Sequence, residues 1–204
     1  MLNKEIQKTP LLIVISAPSG TGKTTLCDNL CLNSSSPCRA ITCTTRSPRA
    51  DELDGKDYYF LNENEFLARV QNDEFLENAV VHGCHYGVLK SEVLSRLAEG
   101  KDVLLNIDVQ GAASVKKRSK GNLILRSSLL TVFLCPPSLK ELENRLRGRG
   151  DNSEKDINRR LAIAEKEISQ KFLFDHSIIS STREADLEAM KTVIQTARDS
   201  LNKQ

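Results

Sequence analysis

A predicted phosphate-binding loop is the feature of this sequence that most restricts its fold. An apolar run at 11–15 is followed by Ala17-Pro18-Ser19-Gly20-Thr21-Gly22-Lys23-Thr24, and a stretch of helical character begins at Thr25. A strand, a glycine-bearing loop and a helix start in this order form an anion site, because loop N–H groups and the helix N-terminus converge on a phosphate. The spacing predicts that Lys23 reaches the β- and γ-phosphates of a nucleotide and that the Thr24 hydroxyl holds Mg²⁺.

The first position of this loop departs from the strict pattern, which has glycine where this chain has Ala17. Alanine carries a Cβ, so we expect the turn to form only if Ala17 adopts a negative φ. The competing interpretation is a Gly/Ser turn that precedes a helix by chance. The complete order of strand, Gly22-Lys23-Thr24 and helix argues against it.

Composition and charge argue against several classes of protein. A chain of 204 residues predicts one domain with room for an inserted subdomain. A net charge of +2 and an absence of tryptophan give little support for nucleic-acid binding. No apolar run approaches the ~20 residues of a membrane helix, so we expect no membrane association. The polar N-terminus lacks a signal-peptide core, and we expect a cytoplasmic protein whose six cysteines are mostly buried thiols.

Apolar strands that alternate with helical stretches predict an α/β fold, a parallel sheet with helices on both faces. The stretch 42–88 breaks this alternation, and we predict an inserted, antiparallel small subdomain there. The break at 148–153 lies between two arginine-rich helices and predicts a mobile lid. Capping-box patterns, in which an N-terminal polar residue is followed three positions later by Glu, predict helix starts at Asn62 and at Ser181.

Two polar segments are candidates for binding a second substrate. Arg46 and Arg49 lie three residues apart in a loop stiffened by proline, and arginine forks match phosphate oxygens; the alternative is a solvated basic loop. Glu77 lies within an apolar strand. An ionised carboxylate only accepts hydrogen bonds, which suits the N1–H and N2–H₂ edge of guanine and not adenine. The alternative, a strand glutamate that faces water, is favoured by the pattern alone.

Arginines near the predicted lid and one aspartate complete the set of candidates. Asp108 follows a buried strand, at the sheet edge where ligands bind, and it could serve Mg²⁺ or a substrate amino group. The alternative role for Asp108 is a helix N-cap. The arginines could surround a moving phosphoryl group or form ion pairs on a helix surface, and they are Arg145, Arg147, Arg149, Arg159 and Arg160.

The order of these motifs resembles that of the guanylate kinases over about 11–201. The matching segments are S-A-P-S-G-T-G-K-T-T-L (16–26), T-T-R-S-P-R (44–49), D-G-K-D-Y-Y-F (54–60), F-L-E (75–77), H-Y-G (85–87), N-I-D-V-Q-G-A (106–112), P-P-S (136–138), R-L-R-G-R-G (145–150) and I-N-R-R-L (157–161). The resemblance implies a P-loop NTPase fold in one domain. It further implies a core at 1–41, 89–144 and 162–204, a GMP-binding insert at 42–88 and a lid at 145–161.

The resemblance also implies an activity, the ATP-dependent transfer of a phosphoryl group to GMP, and to dGMP, with Mg²⁺. The partners it implies are these small molecules, for a monomer or a homodimer. The loop residues Ala17, Pro18, Ser19, Gly20, Thr21, Gly22, Lys23, Thr24 and Thr25 would hold ATP. The GMP site would consist of Thr42, Arg46, Arg49, Tyr58, Glu77, Tyr86, Gly87 and Asp108. The catalytic residues would be Lys23, Arg46, Arg145, Arg149 and Arg160, with Thr24, and Asp108 through water, at the metal.

The chain departs from the family pattern at positions besides Ala17. Thr42 replaces a serine and keeps the hydroxyl, whereas Val88 replaces a serine or threonine that helps to read guanine. Asn106 replaces an aspartate, so one carboxylate becomes neutral. The pair at 180–181 is Ser-Ser in place of Asn-Asp, which affects the expected contact with adenine.

Three other functions compete with a GMP kinase. The first is a non-catalytic interaction module, like the guanylate-kinase-like domains of membrane-associated scaffold proteins, but Gly22-Lys23-Thr24 and the lid arginines argue for chemistry. The second is a kinase for another small acceptor, which Val88 and Asn106 leave open and Glu77 argues against. The third, nucleic-acid binding, is opposed by the small net charge.

Val88→Thr should lower the apparent KM for GMP, because it restores a hydroxyl where the family reads the base. One hydrogen bond to a neutral group contributes about 0.5–1.5 kcal/mol, so we expect a decrease of about 2- to 12-fold. Steady-state kinetics at saturating ATP measures this change. An unchanged or higher KM would contradict it.

Overall fold

The computed structural model describes residues 9–32, 37–81, 83–148 and 153–201, and these residues form two sheets. The larger sheet has five strands, all parallel to their neighbours. In spatial order they are β2 (Cys38–Arg39), β7 (Val103–Asn106), β1 (Leu12–Ser16), β8 (Leu129–Cys135) and β9 (His176–Ile179). The smaller sheet contains β4 (Tyr58–Phe60), β3 (Thr42–Thr44), β6 (Cys84–Leu89) and β5 (Phe75–Val81).

The central strand β1 is buried on both faces, as its continuous apolar run predicts. Ile13 and Ile15 pack in one hydrophobic cluster, and Leu12 and Val14 pack in another on the opposite face. The first cluster is covered by α1 (Lys23–Leu32) and α8 (Arg183–Leu201). The second is covered by α3 (Lys90–Ala98), α4 (Val109–Ser119) and α5 (Leu123–Ser128). The predicted parallel sheet with helices on both faces is therefore confirmed.

The smaller sheet is of mixed direction. Its β3–β6 and β5–β6 pairs are antiparallel as predicted, but β3 and β4 run parallel, with Thr42 opposite Tyr58. Helix α2 (Glu63–Gln71) covers this sheet, and Phe66 stacks on Phe75 with ring centroids 4.4 Å apart. The capping box at Asn62 is confirmed, since its side chain and that of Glu65 each accept from the other residue's backbone N–H.

The chain crosses from the larger to the smaller sheet between β2 and β3, which lie in different sheets. Between them, the Ile41 N–H donates to a carboxylate oxygen of Glu92 at 3.0 Å. The chain leaves one ladder before it enters the next, so a single strand cannot continue. The boundaries of the insert and the core stay a prediction.

The predicted lid lies between two packed helices, α6 (Leu139–Arg147) and α7 (Glu154–Ile168). Leu142 and Leu146 of α6 pack against Leu161 and Ala164 of α7. Residues 149–152, at the centre of the predicted lid, lie outside the described residues. A short 3-10 helix (Lys171–Leu173) follows α7.

The second predicted capping box is wrong. Helix α8 begins after Thr182, whose hydroxyl accepts from the Ala185 N–H at 3.2 Å. The Ser181 N–H donates instead to a carboxylate oxygen of Asp186 at 2.8 Å. Because Asp186 competes for this backbone group, the helix starts one residue later than the pattern suggests.

All six cysteines are free thiols. Burial raises the pKa of Cys27 and of Cys43 to about 11, so these thiols stay protonated at neutral pH. Cys135 is buried as well, whereas Cys31, Cys38 and Cys84 are half-buried, so the expectation of buried thiols is correct for three of the six. No helix in the described part of the chain is long and apolar enough to cross a membrane.

Candidate active site

The predicted phosphate loop connects the end of β1 to the start of α1. Gly20 and Gly22 adopt positive φ angles of 93° and 107°, which only glycine adopts without strain. Among the described residues, Asp73 is the one non-glycine residue with a positive φ, so Ala17 meets the condition that the turn imposes. Ala17 is 4% exposed and packs in the core beside β1, where its methyl group is accommodated.

Lys23 is the first residue of α1 and lies between this loop and strand β7. Its Nζ donates to the carbonyl of Ile107 at 2.8 Å. Burial lowers the pKa of Lys23, and the negative charges of Asp108 and Glu167 partly oppose that decrease. The hydrogen bond fixes the ammonium group at the carboxyl edge of the larger sheet, where ligands of open parallel sheets bind.

Two of the predicted arginines contact the phosphate loop. Arg145 donates to the carbonyl of Thr21 at 3.2 Å, and Arg160 donates to the hydroxyl of Ser19 at 3.1 Å. Both cations thus lie where they would face a nucleotide phosphate held by the loop. Arg149 lies outside the described residues.

The other two arginines follow the alternative interpretation, ion pairing on a helix surface. Arg147 pairs with Glu143 and Glu154, and Arg159 pairs with Asp156. Surface pairs of this kind contribute little to stability.

A pocket of about 290 Å³ opens on one side of the loop, and we call it the loop pocket. Gly20, Thr25 and Arg145 line it together with Ser180 and Asp186. The hydroxyl of Ser180 lies 2.8 Å from a carboxylate oxygen of Asp186 and 3.2 Å from the Thr21 carbonyl. Sequence reasoning missed Asp186. Its only signal was its place in the first turn of the last helix.

A cleft of about 380 Å³ lies on the other side of Lys23, between the two sheets, and we call it the inter-sheet cleft. The larger sheet supplies Asn106 and Asp108 at the end of β7. The smaller sheet supplies four side chains that the sequence predicts at the substrate site, namely Thr42, Tyr58, Glu77 and Tyr86. The structure thus brings together five of the eight predicted substrate residues, Asp108 included.

Glu77 is the buried carboxylate of this cleft, with 6% of its surface exposed. The alternative of a strand glutamate that faces water is therefore wrong. Burial raises the pKa of Glu77 to about 7; the Asp108 charge adds to this increase, and the Arg118 charge opposes it. A group poised near neutral pH with an unfavourable burial energy is typical of a functional site.

Asp108 fulfils its alternative role and still lines the cleft. One of its carboxylate oxygens caps α4 by accepting from the Gly111 N–H at 2.7 Å. An ionised side chain at this position is also favoured by the helix dipole. The second oxygen leaves Asp108 able to accept a bond from a molecule in the cleft.

Arg46 lies beside the cleft, held by a glutamate that sequence reasoning missed. Its guanidinium donates to both carboxylate oxygens of Glu52, at 2.8 and 2.9 Å, and this pairing raises its pKa further above the usual range. Its Cζ lies 5.4 Å from the ring centroid of Tyr58, and the nearby Tyr86 side chain also raises the Arg46 pKa, so Arg46 adjoins two cleft residues. The exposed Arg49, which is bound to Glu52 only through its backbone N–H, is not brought into the cleft.

Gly87 and Val88 are buried in β6 and do not line this cleft. A Cβ on Gly87 would lie 2.8 Å from the ring of Phe75 and 2.9 Å from the Glu77 carbonyl, so glycine lets β6 approach β5 closely. Val88 pairs with Glu77 across the strands and lines a neighbouring pocket of about 200 Å³. Gly87 therefore supports the site through packing, and its contact with substrate stays a prediction.

The raised pKa of Glu77 gives a prediction for stability. Between about pH 4.5 and 7 the folded protein holds a proton on Glu77 that the unfolded chain has lost, so the free energy of unfolding falls as pH rises through this window. We expect Glu77→Gln to gain about 2–3 kcal/mol relative to the wild type between pH 5 and pH 8. Urea unfolding at both pH values measures this difference, with Glu184→Gln as an exposed control; a constant difference would contradict it.

Comparisons with known proteins agree with this geometry. The family model described as guanylate kinase matches residues 9–197. The chain is 40% identical to a guanylate kinase of Caldanaerobacter subterraneus over 189 residues, which cover 93% of this chain and 88% of that protein. It is 45% identical to one of Lawsonia intracellularis over 182 residues, covering 88% and 81%.

Solved structures give the same result. The crystal structure of guanylate kinase from Anaplasma phagocytophilum superposes with a TM-score of 0.66 at 28% identity, covering 94% of this chain and 87% of that one. A gluconokinase from Sinorhizobium meliloti, at 13% identity and a TM-score of 0.51 over 97% and 98% of the chains, shares the fold alone. The sequence, the phosphate loop and these similarities together show that the chain belongs to the guanylate kinase family.

Proposed function

We propose that the protein is a guanylate kinase that transfers the γ-phosphoryl group of ATP to GMP, and to dGMP, to form GDP and dGDP. One observation carries this proposal: Gly22 and Thr25, on either side of Lys23 in the chain, line the loop pocket, whereas Lys23 itself lines the inter-sheet cleft. A phosphoryl transferase needs a donor and an acceptor held on opposite sides of the moving group. The loop pocket suits the donor and the inter-sheet cleft suits the acceptor.

The donor side is built from the loop and its arginines. The N–H groups from Gly20 to Thr25 and the start of α1 would bind the phosphates of ATP, with Lys23 on the β- and γ-phosphates. The walls formed by Ser180 and Asp186 offer hydroxyl and carboxylate acceptors to the amino group of adenine. These groups replace the Asn-Asp pair of the family.

The residues at this edge fit Mg²⁺, which prefers oxygen ligands and is bound in kinases by few protein groups and by substrate phosphates. The Thr24 hydroxyl is exposed in the first turn of α1, and the carboxylate of Asp108 lines the cleft nearby. In the described part of the chain, no group of three His, Cys, Asp or Glu side chains forms a separate metal site. When bound, Mg²⁺ would neutralise phosphate charge, with Thr24 as a ligand and Asp108 acting through water.

On the acceptor side, Glu77 would select guanine. The ionised carboxylate accepts from N1–H and N2–H₂, while adenine presents an acceptor at N1 and would leave the buried charge unpaired. Asp108 would accept from the same edge of the base. Thr42, Tyr58 and Tyr86 line the cleft where hydroxyl groups can donate to the phosphate of GMP.

Arg46 and Arg49 would bind this phosphate after a local exchange of partners. Arg46 donates from a single nitrogen, Nη2, to both carboxylate oxygens of Glu52, and phosphate oxygens also accept charge-assisted hydrogen bonds from arginine. A phosphate in the cleft would compete with Glu52 for this guanidinium group. Arg49 would approach by movement of its exposed loop.

Transfer would occur directly, in line, from ATP to GMP, with no covalent enzyme intermediate. Lys23, Arg145 and Arg160 would surround the moving phosphoryl group with positive charge, and Arg149 would join them from the lid. Closure of the lid at 145–161 would exclude water and so prevent hydrolysis of ATP. The insert at 42–88 would move with GMP toward the core.

Lys23→Ala should abolish this reaction while the fold is kept. The variant loses the ammonium group that stabilises the transferring phosphoryl, and a loss of more than about 100-fold in kcat is expected. A coupled assay of ADP formation from MgATP and GMP measures turnover, and thermal melting checks the fold. Lys191→Ala, an exposed lysine on α8, is the control and should behave as the wild type.

Two outcomes would contradict the proposal at different levels. Normal turnover by Lys23→Ala would refute the role of the phosphate loop. An absence of turnover in folded wild-type protein with MgATP and GMP would refute the kinase function, and the binding-module alternative would then be favoured.

A further inference from the structure

Strand β5 contains an irregularity where it enters the inter-sheet cleft. Phe75 pairs with Leu89, and Glu77 pairs with Val88, so two steps along β5 correspond to one step along β6. Leu76 is the additional residue of this β-bulge. In a regular strand, Phe75 and Glu77 would share a face, yet Phe75 packs in the core of the smaller sheet and Glu77 lines the cleft.

The bulge therefore sets the direction of Glu77. Bulges bend a strand locally and re-aim the side chains beside them. The side chain of Leu76 is fully buried in the hydrophobic cluster under the larger sheet, where Val88 also packs. The buried Leu76 side chain fixes the bulge on the side of the core. On its other side, the bulge consists of the peptide group between Leu76 and Glu77.

That peptide group is held by a residue from another element. Arg118, in the last turn of α4, donates from Nη1 to the carbonyl of Leu76 at 3.2 Å. Its Nε lies 3.8 Å from a carboxylate oxygen of Asp73, in the turn that precedes the same strand. Strand β5 is at the edge of its sheet, and helix α4 packs against it and covers this edge.

Helix α4 thus joins two parts of the base-reading site. Its N-terminus is capped by Asp108, which lines the cleft. In its last turn, Arg118 donates to the carbonyl of the peptide bond that precedes Glu77. The peptide group is planar, so a fixed Leu76 carbonyl also fixes the N–H of Glu77 and limits the rotation of the bulge. The two carboxylates are in this way held in register by one rigid helix.

We propose that Arg118 is a positioning residue for guanine recognition, which acts by holding the Leu76 carbonyl at the β5 bulge and so directs Glu77 into the cleft. The inference rests on the proposed function, since it concerns how the acceptor base is read. Arg118 itself does not line the cleft.

Steady-state kinetics of Arg118→Met tests this role. We expect the KM for GMP to rise about 5- to 20-fold, because Glu77 is no longer held in its productive direction and its charge-assisted contact with the base is weakened without being lost. The KM for ATP and kcat should stay within about twofold of the wild type. Arg118 is 31% exposed, so the variant is expected to fold, which thermal melting checks.

A double-mutant cycle with Glu77→Gln separates positioning from a general structural role. If Arg118 acts through Glu77, Arg118→Met should change the KM for GMP less than about twofold in the Glu77→Gln background. An equal rise in both backgrounds would overturn the proposal. Arg118→Lys, which keeps a donor of similar reach, should recover most of the wild-type KM. If Arg118→Met does not fold, Arg118→Ala replaces it in the cycle, with the same outcomes expected.

Lys117→Met is the matched control. It removes a positive charge from the neighbouring, exposed position of α4, and it should leave the KM for GMP unchanged. If Lys117→Met raises the KM as much as Arg118→Met does, the effect is due to charge alone and the proposal is overturned. A wild-type KM in Arg118→Met would overturn it as well. Failure of the wild type to phosphorylate GMP would instead refute the proposed function.

Discussion

The hydrogen bond from Lys23 to the Ile107 carbonyl is the interaction on which the site depends. It joins the first turn of α1 to the residue that follows β7. These two parts of the chain are neighbours because β1, which precedes α1, pairs in parallel with β7. The phosphate loop, the loop pocket and the inter-sheet cleft are all arranged around this contact. Burial lowers the pKa of the lysine there, and the negative charges of Asp108 and Glu167 partly oppose that decrease.

Glu77 shows that the site is built at the expense of stability. The burial that raises its pKa to about 7 opposes the ionised form that the proposed recognition of guanine would require. A base that donates two hydrogen bonds would offset this cost, whereas adenine would not. In the proposed function, selectivity for guanine would follow from the same desolvation that makes the ionised carboxylate unfavourable in the free protein.

The parts of the fold predicted from sequence are those set by local patterns. The phosphate loop, the buried strands and the helix capped by Asn62 depend on residues adjacent in the chain, and they lie within a few residues of their predicted bounds. The parallel pairing of β3 with β4 was missed because strand direction in this sheet depends on tertiary contacts. The later start of α8 was missed because the Ser181 N–H is taken by Asp186.

The candidate site was predicted by residue type and not by geometry. The identity of Glu77 was visible in the sequence, but its burial depends on a bulge that breaks the period of two along β5. Glu52 and Arg118 carried no recognisable motif, and their roles appear only when the loop at 46–52 and helix α4 meet their partners. Gly87 was predicted from the sequence to contact substrate. The structure gives a packing reason for glycine at this position, since β6 approaches Phe75 too closely for a Cβ.

The most direct test of whether the buried carboxylate of Glu77 recognises the guanine base is the selectivity of the enzyme among nucleoside monophosphate acceptors. The measurement is ADP formation from MgATP with GMP, dGMP, AMP, CMP and UMP, for the wild type and for Glu77→Gln. We predict turnover confined to the guanine nucleotides in the wild type, and a loss of kcat/KM for GMP in the variant without a change in the KM for ATP. Equal losses for GMP and ATP, or efficient turnover of AMP by the wild type, would contradict the assignment of Glu77.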